Sequence, residues 1–125
     1  METKDFHLGD VLSITTGRLV SPRLIEGVYD ILGWMSGEQL FTHQLPRVRR
    51  EAAPVILAMH PQLASVDRDA EITPETLDAW LAERVAEFGE TLPVPKLTED
   101  QHERIDAISE MAETVHPDKI ITIQT

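Results

Sequence analysis

The stretch SPRLIEGVYDILGWMSG, residues 21–37, decides the fold class. Ser21 belongs to the residue types that cap helix N-termini, and Pro22 fits the first helical turn, where its missing N–H is not needed. Apolar residues then recur at helical spacing, and Gly37 supplies a C-terminal stop. The pattern predicts an amphipathic helix with one buried face. The predicted buried stripe consists of Leu24, Val28, Ile31, Leu32 and Met35.

Two glycines, Gly27 and Gly33, lie inside this predicted helix. A glycine in a helix interior costs about 1 kcal/mol relative to alanine. Such a cost indicates that another element packs closely against the helix at these positions, and it does not indicate a catalytic loop.

Two neighbouring segments also have helical periodicity. HLGDVLSITTG, residues 7–17, has apolar residues at helical spacing and a terminal glycine, although its β-branched run leaves a strand as the alternative. The segment from Pro46 to Met59 has a second apolar face. Pro54 lies inside it and cannot donate to the Arg50 carbonyl, so we expect a kink or a break into two short helices.

The second half of the chain predicts two more helices. After a loop with at most one irregular turn, Thr73 provides an N-cap for a helix that ends at Gly89. ETLPVPK, residues 90–96, predicts an extended connector, because proline restricts the residue before it. Thr98 and Gln101 form a capping-box pattern that starts a last helix. The apolar residues of that helix are Ile105, Ile108, Met111 and Val115.

The C-terminal residues KIITIQT are β-branched and predict one short strand at 119–124. A single strand needs a partner, either an N-terminal strand or the same strand of a second subunit, so a homodimer is one expectation. Together these segments predict a mainly α fold: a compact bundle of four to five helices with a short C-terminal strand, or a small α+β fold. We expect one domain over residues 1–125, with a helical half at 6–63 and an acidic helical half at 64–125.

The composition is that of an ordinary globular domain. The chain has 125 residues, of which 42% are hydrophobic and 26% charged, enough for one hydrophobic core. It has no cysteine, which excludes disulfides and thiol catalysis. The polar N-terminus METKDFHLGD has no signal-peptide pattern, and no apolar run approaches the ~20 residues of a membrane-spanning helix. We therefore expect a soluble, cytoplasmic protein with no membrane partner.

The net charge of -11 is concentrated in the second half. Residues 1–62 carry 6 Lys/Arg and 7 Asp/Glu, whereas residues 63–125 carry 5 and 15. Such an acidic chain repels nucleic acid, so direct nucleic-acid binding is disfavoured. The acidic half is either a solvated face or a surface that binds a basic partner. The candidate residues of that surface are Glu83, Glu87, Glu99, Glu103, Asp106 and Glu110.

Positive charge is concentrated in THQLPRVRRE, residues 42–51. Cations at a helix N-terminus oppose the helix dipole, so these arginines need another stabilising contact. On a helical wheel Arg47 and Arg50 point away from the apolar face, and Arg49 borders it. They pair with the chain's own acids, notably Glu51 and the acidic half, or they bind an anionic partner through bidentate contacts. The candidate binding residues are His43, Arg47, Arg49 and Arg50.

The aromatic residues and most histidines have predicted structural roles. Trp34 is the aromatic residue that we expect to reach an interface. His60 and His116 each precede a proline at a predicted helix end, where an imidazole can bond to free carbonyls. The remaining aromatic residues predicted to pack in the core are Tyr29, Trp80 and Phe88.

No catalytic motif is present: the chain has no G-x-S-x-G, Walker loop, G-x-G-x-x-G or H-E-x-x-H. No cofactor is expected. His102 and Asp106 lie four residues apart near Glu99 and Glu103, which is a possible metal-ligand spacing. A single histidine among acids is more typical of a solvated helix face, so we predict no metal site.

Four motifs within residues 6–63 carry a resemblance: GDVLSITTGRLVS, GVYDILGWMSG, LFTHQLPR and HPQL. They resemble a group of small proteins encoded in tailed-phage genomes. The resemblance implies a phage or prophage origin and therefore the cytoplasm of a host cell. It assigns no catalytic residues, because no chemistry is established for the group.

Three classes of function remain as expectations. The first is a non-enzymatic acidic protein that binds a host or competing-phage protein during host takeover or anti-defence. The second is a small anion- or phosphate-binding domain or enzyme, in which His43, Arg47 and Arg50 hold the ligand and Asp10 or Asp30 acts as acid or base. The third is a structural or assembly accessory protein of a phage.

Overall fold

The computed structural model describes residues 2–67, 70–105 and 108–109. Within these ranges the fold consists of four α-helices, two short 3-10 helices and one two-stranded antiparallel sheet. The predicted mainly α fold is therefore confirmed, in its small α+β form. The elements are β1 (Thr3–His7), α1 (Leu8–Thr16), α2 (Ile25–Ser36), a 3-10 helix (Thr42–Gln44), α3 (Leu45–Met59), a 3-10 helix (Pro61–Ser65), α4 (Leu77–Phe88) and β2 (Thr91–Pro95).

Helix α1 forms the centre of the fold, and all nine of its residues are buried. The His7 Nδ1 atom accepts the Gly9 N–H at 2.9 Å and caps its start, and Gly17 ends it with φ 76°. Helices α2, α3 and α4 and both strands contact it. The helical interpretation of this segment is confirmed, and the alternative of a strand is wrong.

A single apolar core joins the helices to the sheet. Leu81 of α4 and Leu92 and Val94 of β2 pack into the same cluster as the buried residues of α1, α2 and α3. Burial of this kind supplies most of the favourable free energy of folding. No α-helix in the described part of the chain is long and apolar enough to cross a membrane.

Helix α2 begins later than its sequence predicts. Its first residue is Ile25, and the residues before it form a turn in which the Leu24 N–H donates to the Ser21 carbonyl at 3.0 Å. Ser21 is not the N-cap of α2, because the helix begins four residues later; its hydroxyl accepts the Arg23 N–H at 3.1 Å within the turn and donates to the buried carboxylate of Asp10. Leu24 does not belong to the buried stripe and is 60% exposed. The predicted end at Gly37 is confirmed, with φ 71°.

Helix α3 runs without a break through Pro54, so the predicted division into two helices is wrong. Its buried residues Val48, Ala52 and Ile56 continue across the proline, and their packing offsets the lost hydrogen bond. The irregular turn expected after α3 is present as the second 3-10 helix. His60 stands at the C-cap position, but its Nε2 atom donates to the Pro93 carbonyl at 2.7 Å, so the predicted bond to its own helix is wrong.

The sheet is formed by segments that the sequence does not predict as strands. β1 is a polar stretch in which one apolar side chain, Phe6, is buried, and β2 coincides with the predicted connector. Phe6 pairs with Leu92, and Thr3 pairs with Pro95 at the other end of the ladder. Both strands lie at an edge, where the missing N–H groups of Pro93 and Pro95 can be tolerated.

The last predicted helix is present in part: Ile108 and Ser109 are helical, but the residues at its predicted start are not. The capping-box residues form a turn, in which the Gln101 side-chain oxygen accepts the Thr98 N–H at 2.9 Å, but residues 102–105 are not helical. Ile108 is 78% exposed, so it does not belong to a buried stripe. Helix α4 ends at Gly89 as predicted and begins at Leu77, after a turn in which Thr73 Oγ1 accepts the Thr76 N–H at 3.2 Å. The predictions for Asp106, Glu110, Met111, Val115, His116 and strand 119–124 lie outside the described residues.

Candidate functional site

An ion pair between the buried carboxylate of Asp10 and the half-exposed guanidinium of Arg23 joins α1 to the turn before α2. Asp10 is 1% exposed, and one of its oxygens accepts the Ser21 hydroxyl while the other accepts Arg23 Nη2 at 2.7 Å. Arg23 also reaches Asp30 of α2 at 2.5 Å. The hydrogen bonds to Asp10 and Asp30 raise the pKa of Arg23 further above its already high ordinary value. Both proposed acid–base carboxylates are therefore held by one guanidinium.

Gly27 of α2 allows this network to form. A Cβ atom at this position would lie 2.2 Å from both Asp10 Oδ1 and Ser21 Oγ, closer than any side chain tolerates. The predicted close packing at Gly27 is confirmed, and it brings α2 directly against the buried carboxylate. At Gly33 the nearest atom to such a Cβ is the Glu38 carbonyl at 3.5 Å, an ordinary contact.

The network holds Leu24 in an unusual backbone conformation. Leu24 has φ 58° and ψ -138°, and within the described residues it is the one non-glycine residue with positive φ. A bulky residue in such a region costs of order 1–3 kcal/mol and persists only where its surroundings impose it. The N–H of Leu24 bonds to Ser21 and its carbonyl accepts the Gly27 N–H at 3.2 Å. The strained residue thus carries a large apolar side chain that faces solvent.

An apolar groove lies between the C-terminal end of α1 and the N-terminal ends of α2 and α3, and Ile25, which follows Leu24 in the chain, lines it. The groove has a volume of about 270 Å³. Leu19 and Ile25 both line it and are 48% and 44% exposed. We call Leu19, Leu24 and Ile25 the apolar patch. The apolar part of the groove is formed by Gly17, Leu19, Ile25, Val28, Leu45 and Pro46.

The three arginines of the basic stretch have different environments. Arg47 Nη1 donates to Glu51 at 2.9 Å and to the Glu103 carbonyl at 2.5 Å. Arg49 Nη1 donates to the Ile14 carbonyl at 3.0 Å at the end of α1 and lines the groove. Arg50 is exposed and has no hydrogen bond or ion pair within the described ranges.

Residues 97–105 form a segment with one turn and no regular secondary structure, which we call the polar strap. It is held on α2 and α3 by backbone and side-chain bonds: the Leu97 N–H donates to the Met35 carbonyl at 2.8 Å, and the Glu103 N–H donates to Glu51 at 3.0 Å. Gln44, which is buried, donates to the Ile105 carbonyl at 3.3 Å. The predicted pairing of the basic stretch with Glu51 is confirmed for Arg47, and it extends to the backbone of the strap.

His102 lies at the centre of the strap. Its side chain is 5% exposed, and its two ring nitrogens lie 2.5 Å from a Glu38 oxygen and 2.6 Å from a Glu51 oxygen. An imidazolium can donate to both carboxylates at once. The predicted solvated helix face is therefore wrong, because His102 is buried and not helical. No cluster of metal-ligating residues occurs in the described part of the chain.

Trp34 is occupied by contacts within the chain. Its Nε1 atom donates to the Val94 carbonyl at 3.0 Å, and Lys96 Nζ and Lys4 Nζ lie 4.6 Å and 5.9 Å from its ring centroid. Trp34 also lines a wide, open cleft of about 640 Å³. The two carboxylates of this cleft, Asp30 and Glu38, already pair with Arg23 and His102. The cleft is thus a weaker candidate site than the groove.

The remaining predicted site residues are dispersed. His43 stacks on Phe41 with 6.2 Å between the ring centroids. Glu83 and Glu87 flank Arg84 of α4 at 3.6 Å and 3.5 Å. The other acidic candidates within the described residues, Glu99 and Glu103, lie on the polar strap and are exposed.

The groove and the Asp10 network are the features that sequence patterns missed. An aspartate inside an otherwise apolar helix is a recognisable signal, because a buried carboxylate must be paired. Leu24 has no such signal, since its periodicity fits the buried stripe and its backbone angle depends on tertiary contacts.

Comparison with known proteins adds one finding. A family model described as "Domain of unknown function (DUF7736)" matches residues 6–66. The matched range contains α1, α2, α3, the apolar groove and the Asp10 network, and it ends before the polar strap. Neither the curated proteins nor the solved structures contain a match to this chain. The phage origin implied by the resemblance stays a prediction.

Proposed function

We propose that this chain is a non-enzymatic protein-binding module and that the apolar patch is its contact surface. The observation that carries the proposal is Leu24, a strained residue whose large apolar side chain is 60% exposed. Backbone strain and solvent exposure are both unfavourable in the free protein. Strain of this kind concentrates at binding sites, where the surrounding structure imposes it.

The surroundings of the patch support the same function. Leu19 and Ile25 line a groove beside Leu24, and clustered exposed apolar side chains are typical of protein interaction sites. The Asp10–Arg23 ion pair, whose carboxylate is buried, holds the turn that presents them. A preorganised surface loses less conformational entropy on association.

The setting of this interaction follows from the sequence resemblance. A phage or prophage origin makes a host or competing-phage protein the partner, with host takeover or anti-defence as the outcome. The contact surface proposed here differs from the acidic helices that the charge distribution favours, and the two surfaces can be distinguished by mutation.

The test is affinity capture from host cells that express the tagged chain, followed by purification of the partner and measurement of its affinity. Leu24→Gly is the informative variant, because glycine adopts φ 58° without strain while the apolar side chain is removed. We expect its thermal stability to match or exceed that of the wild type and its affinity for the partner to fall at least tenfold, as for a central contact residue.

The matched control is Glu83→Lys combined with Glu87→Lys on α4, which reverses charge on the acidic surface. We expect this variant to keep the affinity of the wild type within about threefold, as is usual for charges outside the contact. A partner that is lost from the α4 variant and retained by Leu24→Gly would overturn the proposed surface in favour of the acidic one.

A further inference from the structure

The apolar groove has one polar wall with spare hydrogen-bond donors. Arg49 lines the groove, and its guanidinium lies against Gly17, with Nη1 3.4 Å from the position that a Cβ there would take. Within the described residues this guanidinium makes one hydrogen bond, to the Ile14 carbonyl. A guanidinium has five N–H donors, so this one bond leaves the guanidinium with spare donor capacity at the wall of the groove.

The local charge favours an anion. Arg18, whose Nη1 atom donates to the Ala70 carbonyl, is the second charged residue that lines the groove, and among the described residues no acidic side chain lines it. Residues 6–66 carry 5 Lys/Arg and 5 Asp/Glu, so the negative charge of the chain lies in other segments. Repulsion from those segments is screened within roughly 8–10 Å at physiological salt, whereas a carboxylate on Arg49 makes a direct contact.

The size of the groove favours a side chain over a cofactor. Its volume of about 270 Å³ lies below the ~300–1,000 Å³ of sites for drug-sized ligands. Leu19, Ile25, Val28 and Leu45 provide an apolar floor for a branched aliphatic group. An aliphatic side chain and a carboxylate on one short segment would satisfy both parts of the site.

We propose that the partner presents an aliphatic side chain, such as leucine, together with a neighbouring carboxylate, which is bound by Arg49. This inference rests on the proposed function of the groove as the contact surface. Arg49 is the specificity-determining residue, because it distinguishes a segment with a carboxylate from an equally apolar segment without one.

The test uses two small probes, N-acetyl-leucine and N-acetyl-leucinamide, which differ in the carboxylate. Each is titrated into the full-length chain while the methyl resonances of Ile25, Val28 and Leu45 are followed. We expect the acid to bind about threefold more tightly than the amide at low salt, the factor that a partly exposed ion pair supplies. This ratio should fall towards one at about 0.5 M salt, where charges are screened within a few ångströms.

Arg49→Gln should abolish the preference for the acid and leave binding of the amide unchanged. Arg50→Gln, on the exposed neighbour that does not line the groove, should keep the wild-type preference. Arg49 also bonds to the end of α1, so Arg49→Lys is measured in parallel; it retains the charge and should retain part of the preference. A purely structural arginine would change melting temperature but not the ratio of the two affinities.

Two outcomes contradict the inference, and they differ in what else they overturn. If the wild type binds the acid and the amide equally, the carboxylate specificity is wrong and the groove stands as a contact surface. If neither probe shifts the methyl resonances of the groove while the chain remains folded, the groove is not a contact surface, and the proposed function loses its surface.

Discussion

At the scale of single residues, two glycines of α2 that look alike in the sequence have different environments. Gly27 faces Asp10 and Ser21, whereas Gly33 has open space beyond an ordinary contact. We expect Gly27→Ala to lower the free energy of unfolding by about 2 kcal/mol or more, because the methyl group separates the buried carboxylate from its partners. Urea unfolding of Gly27→Ala and Gly33→Ala measures the difference between their free energies of unfolding.

Gly33→Ala is the matched control for this prediction. Alanine at an unobstructed helix position stabilises by up to about 1 kcal/mol, so this variant should unfold at the same or a higher urea concentration. Equal effects of the two substitutions would mean that the contact between α2 and Asp10 is not as close as described.

The arginines of the basic stretch provide a second residue-scale prediction. Arg47 is paired with Glu51 and with the backbone of the polar strap, and its side chain is 15% exposed. We expect Arg47→Ala to lower the free energy of unfolding by about 1–2 kcal/mol. Arg50→Ala should change it by less than about 0.5 kcal/mol, as is usual for an exposed residue. A larger loss for Arg50 than for Arg47, measured by thermal melting, would contradict the assignment.

Residue roles were predictable where the deciding partner is close in the chain. The pairing of Arg47 with Glu51 follows from their spacing of four residues on one helix. The assignment of Ser21 as a helix cap is wrong, because a turn tied to Asp10 of α1 stands between Ser21 and the start of α2 at Ile25. His102 was placed on a solvated face for the same reason: its two partners lie 51 and 64 residues away.

At the scale of elements, the polar strap is held by His102. We expect His102→Ala to remove the partner of one oxygen of Glu38 and one oxygen of Glu51, both partly buried, and to lower the free energy of unfolding by about 2 kcal/mol. The sharper readout is amide hydrogen exchange, because strap amides such as that of Glu103 should lose protection while those of α1 keep theirs.

Glu99→Gln is the control on the same segment, since Glu99 is exposed and has no hydrogen bond or ion pair in the described part of the chain. It should leave the exchange of all strap amides unchanged. If His102→Ala also leaves the Glu103 amide protected, then the strap is held by its backbone bonds and His102 is not its main contact.

The predictability of each element depended on how local its signals are. α1 and the end of α2 carry their own stops, Gly17 and Gly37, and both were located correctly. β1 has one buried side chain, so alternation could not reveal it, and β2 contains two prolines that favour a connector. The predicted last helix had a genuine capping signal, and its first residues form a turn, but residues 102–105 are not helical and bond to α2 and α3.

At the scale of the whole molecule, the charge distribution separates the residues matched by the family model from the rest. Residues 6–66 are balanced, whereas residues 67–125 carry 5 Lys/Arg and 15 Asp/Glu. The balanced part contains the apolar groove and the Asp10 network, which need a locally neutral or positive environment. The acidic remainder keeps the chain strongly negative, which favours solubility but adds repulsion within the folded state.

This repulsion leads to a prediction for the whole chain. Raising NaCl from about 0.05 M to about 0.5 M screens exposed charges, so the melting temperature should rise by a few degrees. A double variant, Glu90→Gln with Glu99→Gln, removes two exposed charges, and it should melt higher than the wild type at low salt and respond less to added salt. The Asp10–Arg23 pair has a buried carboxylate and a half-exposed guanidinium, so salt screens it less than a fully exposed pair. A melting temperature that falls with added salt would contradict this prediction. It would mean that attraction within the ion pairs contributes more to stability than repulsion among the exposed charges.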